Sequence, residues 1–232
     1  MELSVIVPIY NEAENIEKLI ISIQGALDFI SYELIMVDDK STDSSLTIMQ
    51  KSKAQNIVII ALSKNYGQSV AIKAGIDAAK GKYIALLDGD LQNDPADLYK
   101  AYHIICNQQT DIVQGYRQKR LDSKSKTLPS KVANKLVRLV FNSPLHDIGC
   151  TLKIMNQRVI KDLIFFDGFH RYLPLIAHIK GYSVTEIKVN HNPRTAGVSK
   201  YGMERIWPVC KQLFFLKFNP SKLIQPIIYN ID

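Results

Sequence analysis

Asp88 and Asp90 flank a single glycine directly behind the apolar run Ile84-Ala85-Leu86-Leu87, and Gln92 and Asn93 follow. Two carboxylates separated by one small residue can present oxygens to Mg2+ or Mn2+, hard cations that take oxygen ligands and often share them with substrate phosphates. The same triplet occurs in ordinary turns, so its place in the fold has to decide. Asp38 and Asp39 form a second acidic pair, ahead of Ser41, Thr42 and Asp43. Such a pair either caps the following helix or offers a carboxylate to the N–H of a nucleotide base. Asp43 reads as a cap or loop brace. A third grouping is cationic. Between Arg117 and Arg138 stand Arg117, Lys119, Arg120, Lys124, Lys126, Lys131, Lys135 and Arg138 against the one acid Asp122. That local excess equals the +7 of the whole 232-residue chain, with 29 Lys+Arg against 22 Asp+Glu. It favours an anionic partner: phosphate-bearing substrate, membrane surface or nucleic acid.

These groups need a scaffold, and the first half of the chain describes one. Leu3–Ile9, Glu33–Asp38, Ile57–Leu62 and Tyr83–Asp88 are short apolar runs that suit strands buried on both faces. Amphipathic stretches separate them at Glu14–Leu27, Asp43–Ala54 and Gln68–Ala79. That alternation predicts a mostly parallel sheet with crossover helices on both faces, an α/β fold. Asp94-Pro95 opens a further helix and Asp111–Gly115 a fifth strand. Later, Ser130–Phe141, Gly168–Ile179 and Met203–Phe218 read as helices and Val184–His191 as a strand, while His146–Met155 is mixed. In open α/β sheets, ligands collect outside the carboxyl ends of the strands. The first four strands end at Pro8–Glu12, Asp38–Asp43, Ser63–Gln68 and Asp88–Gln92, so several carboxylates are expected on one edge. They repel one another unless a cation or hydrogen-bond donors sit among them.

The rest of the sequence excludes. No Gly/Ser- or Pro-rich linker divides the chain, so one domain spans residues 1–232. There is no GxGxxG after the first strand and no GxxxxGK[ST], which argues against a dinucleotide oxidoreductase and a P-loop enzyme. Three widely spaced cysteines suit a reducing compartment and no structural zinc site, and no histidine pair has metal-ligand spacing. Met1–Tyr10 lacks a basic leader and reads as a buried strand, and no run of 18 apolar residues spans a bilayer. Nucleic acid is disfavoured as the partner, because the basic stretch lacks interleaved aromatics and any helix-turn-helix or finger pattern.

VPIYNE, VDDKSTD, NYGQ, DGDLQND, GYRQKR, HDIGCTLK and PRTAGVSKYG occur in this order between Leu3 and Lys217. Together they resemble the family-2 glycosyltransferases, and within them the polyprenyl-phosphate (undecaprenyl- and dolichyl-phosphate) glycosyltransferases. The resemblance implies a GT-A fold; the pattern along the chain divides it into a nucleotide-sugar half over about 1–116, an acceptor half over about 117–218, and a tail, 219–232, that either lies at a membrane surface or packs on the core. It places Pro8, Tyr10, Glu12, Asp39, Asp88 and Arg194 at the nucleotide. It gives Asp88, Asp90 and Gln92 to a Mg2+ or Mn2+ cofactor. Asp90, Asp147, Arg117 and Lys200 become the catalytic groups and Arg117 the site for the lipid phosphate, whose charge Lys131 of the basic stretch would help to neutralise. Gly89 in place of alanine and Asp94-Pro95 in place of Pro-Pro are mild departures. Many bacterial relatives continue into two transmembrane helices beyond the stretch matching Phe214–Asn219.

The activity so implied is inverting transfer of a sugar from a nucleotide diphosphate, UDP more than GDP, to a polyprenyl phosphate at the cytoplasmic face of an anionic membrane. Association with a second copy or a membrane subunit stays open. So does the role of Asp147: a phosphate nucleophile, with a second pKa of about 6, needs no strong base, so Asp147 either positions the acceptor or takes its last proton. Phe214, Phe215, Leu216, Phe218, Leu223, Ile224, Ile227 and Ile228 either insert into the membrane or pack in the core. Cys150 reads as a small packed residue, and Asn65, Tyr66 and Gln68 either touch the base or, the favoured reading, brace the loop. Arg171 either reaches the acceptor phosphate or packs at the surface. The rival activities are a family-2 transferase that acts on a glycan hydroxyl and a non-catalytic nucleotide- or membrane-binding subunit.

Overall fold

Strand–helix alternation builds the first half as expected. β1 (Leu3–Ile9), β2 (Tyr32–Asp38), β3 (Ile57–Ala61) and β4 (Tyr83–Leu86) are linked by α1 (Ile16–Leu27), α2 (Ser45–Lys51) and α3 (Gln68–Ala78). α4 (Ala96–Asn107), β5 (Ile112–Arg117), β6 (Lys153–Asn156), α5 (Gln157–Asp162), α6 (Leu173–Ile179), β7 (Val184–Val189) and α7 (Ile206–Phe218) follow. The structure, a computed structural model, describes residues 1–52, 54–117, 134–135, 137–193, 206–218 and 227–232.

The strands form one seven-stranded sheet in the order β3-β2-β1-β4-β6-β5-β7. β1 pairs in parallel with β2 and β4, β2 with β3, and β5 with β7. β6 alone runs antiparallel, to both neighbours. Side chains alternate between two cores. Val5, Val7 and Ile9 meet Ile16, Leu19 and Ile23 of α1 on one face, and Ile6 meets Ala71 and Ile72 of α3 on the other. At Gly75 α3 lies so close to β1 that a side-chain carbon would collide with Ile6.

Two expectations need correcting. The mixed segment His146–Met155 holds a strand, β6, which inserts between β4 and β5 and carries Lys153 into the sheet interior. The single helix expected over Gly168–Ile179 breaks into a 3-10 turn at Phe169–Arg171 and α6, because Gly168 takes a φ of 87° and turns the chain. In the region expected to be helical over Ser130–Phe141, residues 134, 135 and 137–141 are helical and the start lies outside the described residues. The sheet runs one way from β1 to β2 and β3 and the other way through β4, so a crevice opens between the carboxyl ends of β1 and β4. Among the described residues, no helix is long and apolar enough to cross a membrane.

Candidate functional site

That crevice is an open cavity of about 530 Å3. Pro8, Tyr10 and Glu12 line it from the end of β1, Asp39 from the end of β2, Asn65–Ser69 from the loop behind β3, and Asp88–Asp90 from the loop behind β4. The turn Asp167–Arg171 and Gln212 of α7 close the far side. The strand ends therefore bring together Pro8, Tyr10, Glu12, Asp39, Asp88 and Asp90, all expected at the nucleotide or its metal. Gln92 does not line the cavity; its backbone carbonyl accepts Asn192 N at 2.8 Å.

The carboxylates differ in how they are satisfied. Asp39 is buried, and its two oxygens accept Tyr66 N at 2.7 Å and Gly67 N at 2.8 Å. It fixes the loop that walls the cavity, and the bracing expected of Tyr66 is made through its backbone. Asp43 accepts Ser45 N at 2.9 Å and Ala13 N at 3.3 Å, lacing the first two strand-end loops together. Glu12 accepts the Asn15 amide at 2.8 Å. Asp88 accepts Gln68 Nε2 at 2.9 Å and Thr151 Oγ1 at 2.6 Å. Burial, and then the charge of Asp90, push the Asp88 carboxyl up to about 6, although Thr151, Lys153 and Arg117 pull the other way. Asp90 is buried and its Oδ1 accepts Gln92 N at 3.1 Å.

This donor set suits a divalent oxygen-seeking ion. Asp90 is buried and Asp88 half-buried beside it, and burial with the charge of Asp90 raises the Asp88 carboxyl. Among the described residues no three His, Cys, Asp or Glu cluster to hold a metal. Paired carboxylates of this kind are ones to which substrate phosphates can add further oxygen ligands.

The second centre lies behind β5. Arg117, the last residue of β5, forms a fork with Asp147: Nε to Oδ2 at 2.7 Å and Nη2 to Oδ1 at 3.0 Å, with its backbone N also on Oδ2 at 3.3 Å. Asp147 is 5% exposed. The two groups expected to serve the acceptor are bound to each other. Glu186 on β7 holds the same turn, accepting His146 N at 2.8 Å, Asp147 N at 3.4 Å and His146 Nδ1 at 2.6 Å. Gln114 on β5 donates to the carbonyls of Asp147 and Cys150 at 3.1 and 3.0 Å. Burial pushes the Cys150 thiol up to about 12, which agrees with a packed, inert residue.

Lys153 joins the two centres. It is 1% exposed, and Nζ donates to the His170 carbonyl at 2.9 Å. Burial pushes its amine down to about 8, against the attraction of Cys150, Asp88 and Asp147. Sequence reasoning missed Lys153, Thr151, Gln114 and Glu186. The lysine inside HDIGCTLK carries the signal for the first of them, hidden because a charge breaks the apolar pattern of a buried strand. Arg171 is half-buried in the cavity wall. Lys131, Arg194 and Lys200 lie outside the described residues. So do Leu223 and Ile224; of the other apolar candidates, Leu216 is buried, Ile227 packs on the core, and Phe214 and Phe218 are 58% and 68% exposed.

Residues 4–164 match Glycosyl transferase family 2. The chain is 36% identical over 228 residues to the dodecaprenyl-phosphate galacturonate synthase of Rhizobium johnstonii, covering 94% of this chain and 67% of the relative. It is 33% identical over 210 residues to the undecaprenyl-phosphate 4-deoxy-4-formamido-L-arabinose transferase of Salmonella choleraesuis, covering 88% of this chain and 64% of the relative. The chain thus spans about two thirds of the length of these curated relatives. Among solved structures, glucosyl-3-phosphoglycerate synthase from Mycobacterium tuberculosis, in complex with Mn2+, uridine diphosphate and glucosyl-3-phosphoglycerate, superposes with a TM-score of 0.73. It is 15% identical, over 100% of this chain and 86% of that one.

Proposed function

The chain belongs to glycosyl transferase family 2 and has the GT-A architecture, and from that premise we propose that it transfers a sugar from a nucleotide diphosphate, UDP by preference, to a polyprenyl phosphate. The observation that carries the reading is the Asp88–Asp90 pair lining the β1/β4 crevice at the carboxyl ends of the strands. The names of the two bacterial relatives support the lipid-phosphate acceptor.

The reaction is one displacement. A phosphate oxygen of the lipid attacks the anomeric carbon, the bond from that carbon to the diphosphate breaks, and the nucleotide diphosphate leaves with the electron pair, inverting the centre. Tyr10, Glu12 and Asp39 bound the nucleotide end of the cavity. Asp88 and Asp90, which line the cavity where Gln92 does not, would hold Mg2+ or Mn2+, which supplies Lewis-acid stabilisation of the departing diphosphate when bound. Arg117, its guanidinium held by Asp147, would take the acceptor phosphate, and Lys131 would add to its neutralisation. Arg194 and Lys200 would contribute positive charge that stabilises the leaving group. Because both Asp147 oxygens are engaged, its role is to orient Arg117, which suits a nucleophile that needs no strong base.

The acceptor is membrane-bound, and α7 offers a fitting surface for the cytoplasmic face. Phe214 and Phe218 are exposed, as are Leu139 and Val140 at 71% and 45%, and Lys217 Nζ lies 5.6 Å over the Phe141 ring. Apolar side chains edged by lysine are the pattern of an interfacial surface. The deciding experiment incubates the protein with Mn2+, undecaprenyl phosphate and a panel of UDP- and GDP-sugars, and follows nucleotide release and lipid-linked sugar. Transfer to the lipid supports the reading. Transfer only to glycan hydroxyls, or undiminished turnover in chelator, overturns it.

A further inference from the structure

The sequence suggests a membrane surface for residues 227–232, yet they contact the end of β3 and the loop behind it, whose Asn65–Ser69 line the cavity. Ile231 bridges antiparallel to Leu62, just beyond β3. Asp232 N donates to the Ala61 carbonyl at 2.9 Å, and Ser63 N donates to the Asn230 carbonyl at 3.0 Å. This short segment therefore pairs the end of β3, which is the edge strand of the sheet. Asn230 N donates to the Tyr66 hydroxyl at 3.2 Å, and that hydroxyl also meets Ser63 Oγ at 3.3 Å. Tyr229 OH anchors the segment to α3 through Asp77 Oδ2 at 2.8 Å, and Ile227 and Tyr229 pack on the core. Asp232 Oδ2 reaches Lys40 Nζ at 2.7 Å. Lys40 directly follows Asp39 and takes a left-handed φ of 59°.

Apart from the α3 anchor, these polar contacts converge on the end of β3, the loop behind it or the residue after Asp39. That loop gives its Tyr66 and Gly67 amides to Asp39. At its end Gln68 holds Asp88. A loop that is already ordered spares the bound nucleotide the entropy of ordering it.

We propose that residues 227–232 are a positioning strap for the donor: by pinning Ser63–Gln68 they set the affinity for the nucleoside diphosphate without touching the reacting atoms. The inference rests on the reading of the crevice as the nucleotide site, and its test keeps the two apart. Two variants are compared with the full chain. One ends after residue 226. The other, Asn230→Pro, chiefly removes the N–H given to Tyr66. UDP affinity is measured by calorimetry with Mn2+, KM and kcat with undecaprenyl phosphate, and amide exchange at Tyr66 and Gly67 by hydrogen–deuterium exchange.

The expected result is about tenfold weaker UDP binding and a matching rise in donor KM for the truncated chain, with kcat and the acceptor KM within about twofold. Asn230→Pro shifts in the same direction by less, and exchange at Tyr66 and Gly67 quickens in both. Three results overturn the strap: unchanged UDP affinity in a folded truncated chain, a uniform loss of kcat and both KM values that tracks a lowered Tm, or loss of vesicle binding with UDP affinity intact. If the full chain binds neither UDP nor GDP, the donor reading fails. The exchange arm then still decides whether the segment orders the loop.

Discussion

The two ends of the site handle charge in opposite ways. At the β1/β4 crevice, half-buried Asp88 lies beside buried Asp90 and is pushed up to about 6. Behind β5, Asp147 is matched oxygen for nitrogen by Arg117. On the proposed reading, the donor end leaves charge for its ligand to complete, whereas Asp147 at the acceptor end is matched within the protein. The contrast follows from what each must do. A leaving diphosphate brings large negative charge and favours a metal. An arriving phosphate monoester needs a cation of fixed orientation, which a bidentate partner provides.

The sharpest way to break that contrast is at the donor. Asp90→Asn is expected to lower kcat by about 10³-fold, the equivalent of the several kcal/mol a Lewis acid contributes to the leaving group. Nucleotide release at saturating Mn2+ checks it, and near-normal turnover would remove the carboxylate from the mechanism. At the acceptor end, Asp147→Asn and Arg117→Ala are each expected to cost about 10- to 100-fold in kcat/KM for the lipid phosphate, and the double variant little more, because the pair acts as one unit. A loss for Asp147→Asn approaching the upper end of about 10⁴-fold expected of a general base, together with loss of the acidic limb of the pH profile, would make Asp147 that base instead.

Glu186→Gln tests the support of that pair. The glutamine keeps one acceptor for His146 N, so the expected effect is a rise of about threefold in acceptor KM with donor KM unchanged. An equal rise in both would assign Glu186 to the fold rather than to the acceptor end.

The smallest effect is one of stability, and its sign is opposite to that on activity. The Asp88 carboxyl rises from 3.8 to about 6 on folding, so the folded state holds its proton more tightly than the unfolded chain. Its contribution to metal-free stability is full below about pH 4 and is lost as pH rises through about 6. Asp88→Asn should therefore raise the Tm of the metal-free protein by a few degrees at pH 7, on the order of 4 °C, and by nothing near pH 4, while abolishing turnover. Thermal unfolding across pH 4–7 measures it. A variant that loses stability at pH 7 would show the Gln68 and Thr151 bonds to outweigh the repulsion.

Much of the donor end is legible in the amino-acid sequence. β1 to β3 fall within a residue or two of their expected bounds because each is apolar on both faces and bounded by polar turns. Strand ends in a parallel sheet share an edge, so Tyr10, Asp39, Asp88 and Asp90 had to meet. Gln92 reads into the same site by its spacing but lies outside the cavity lining, since spacing along a loop does not tell which way a side chain turns. The acceptor end is less legible. β6 is four residues long and begins at a lysine, so its local pattern denies the strand that pairing on both sides enforces. α5 is six residues long, too short for a helical period to show.

The amino-acid order alone determined which residues could carry chemistry and that a parallel sheet would gather the donor carboxylates, because buried strands and amphipathic helices are written in local periodicity. Only the tertiary structure decided that Arg117 binds Asp147 across 30 residues, that Lys153 is buried between the two centres, and that residues 227–232 return to the nucleotide loop. Those choices depend on which distant groups can satisfy a buried charge or an edge strand, and no short window of sequence contains both partners.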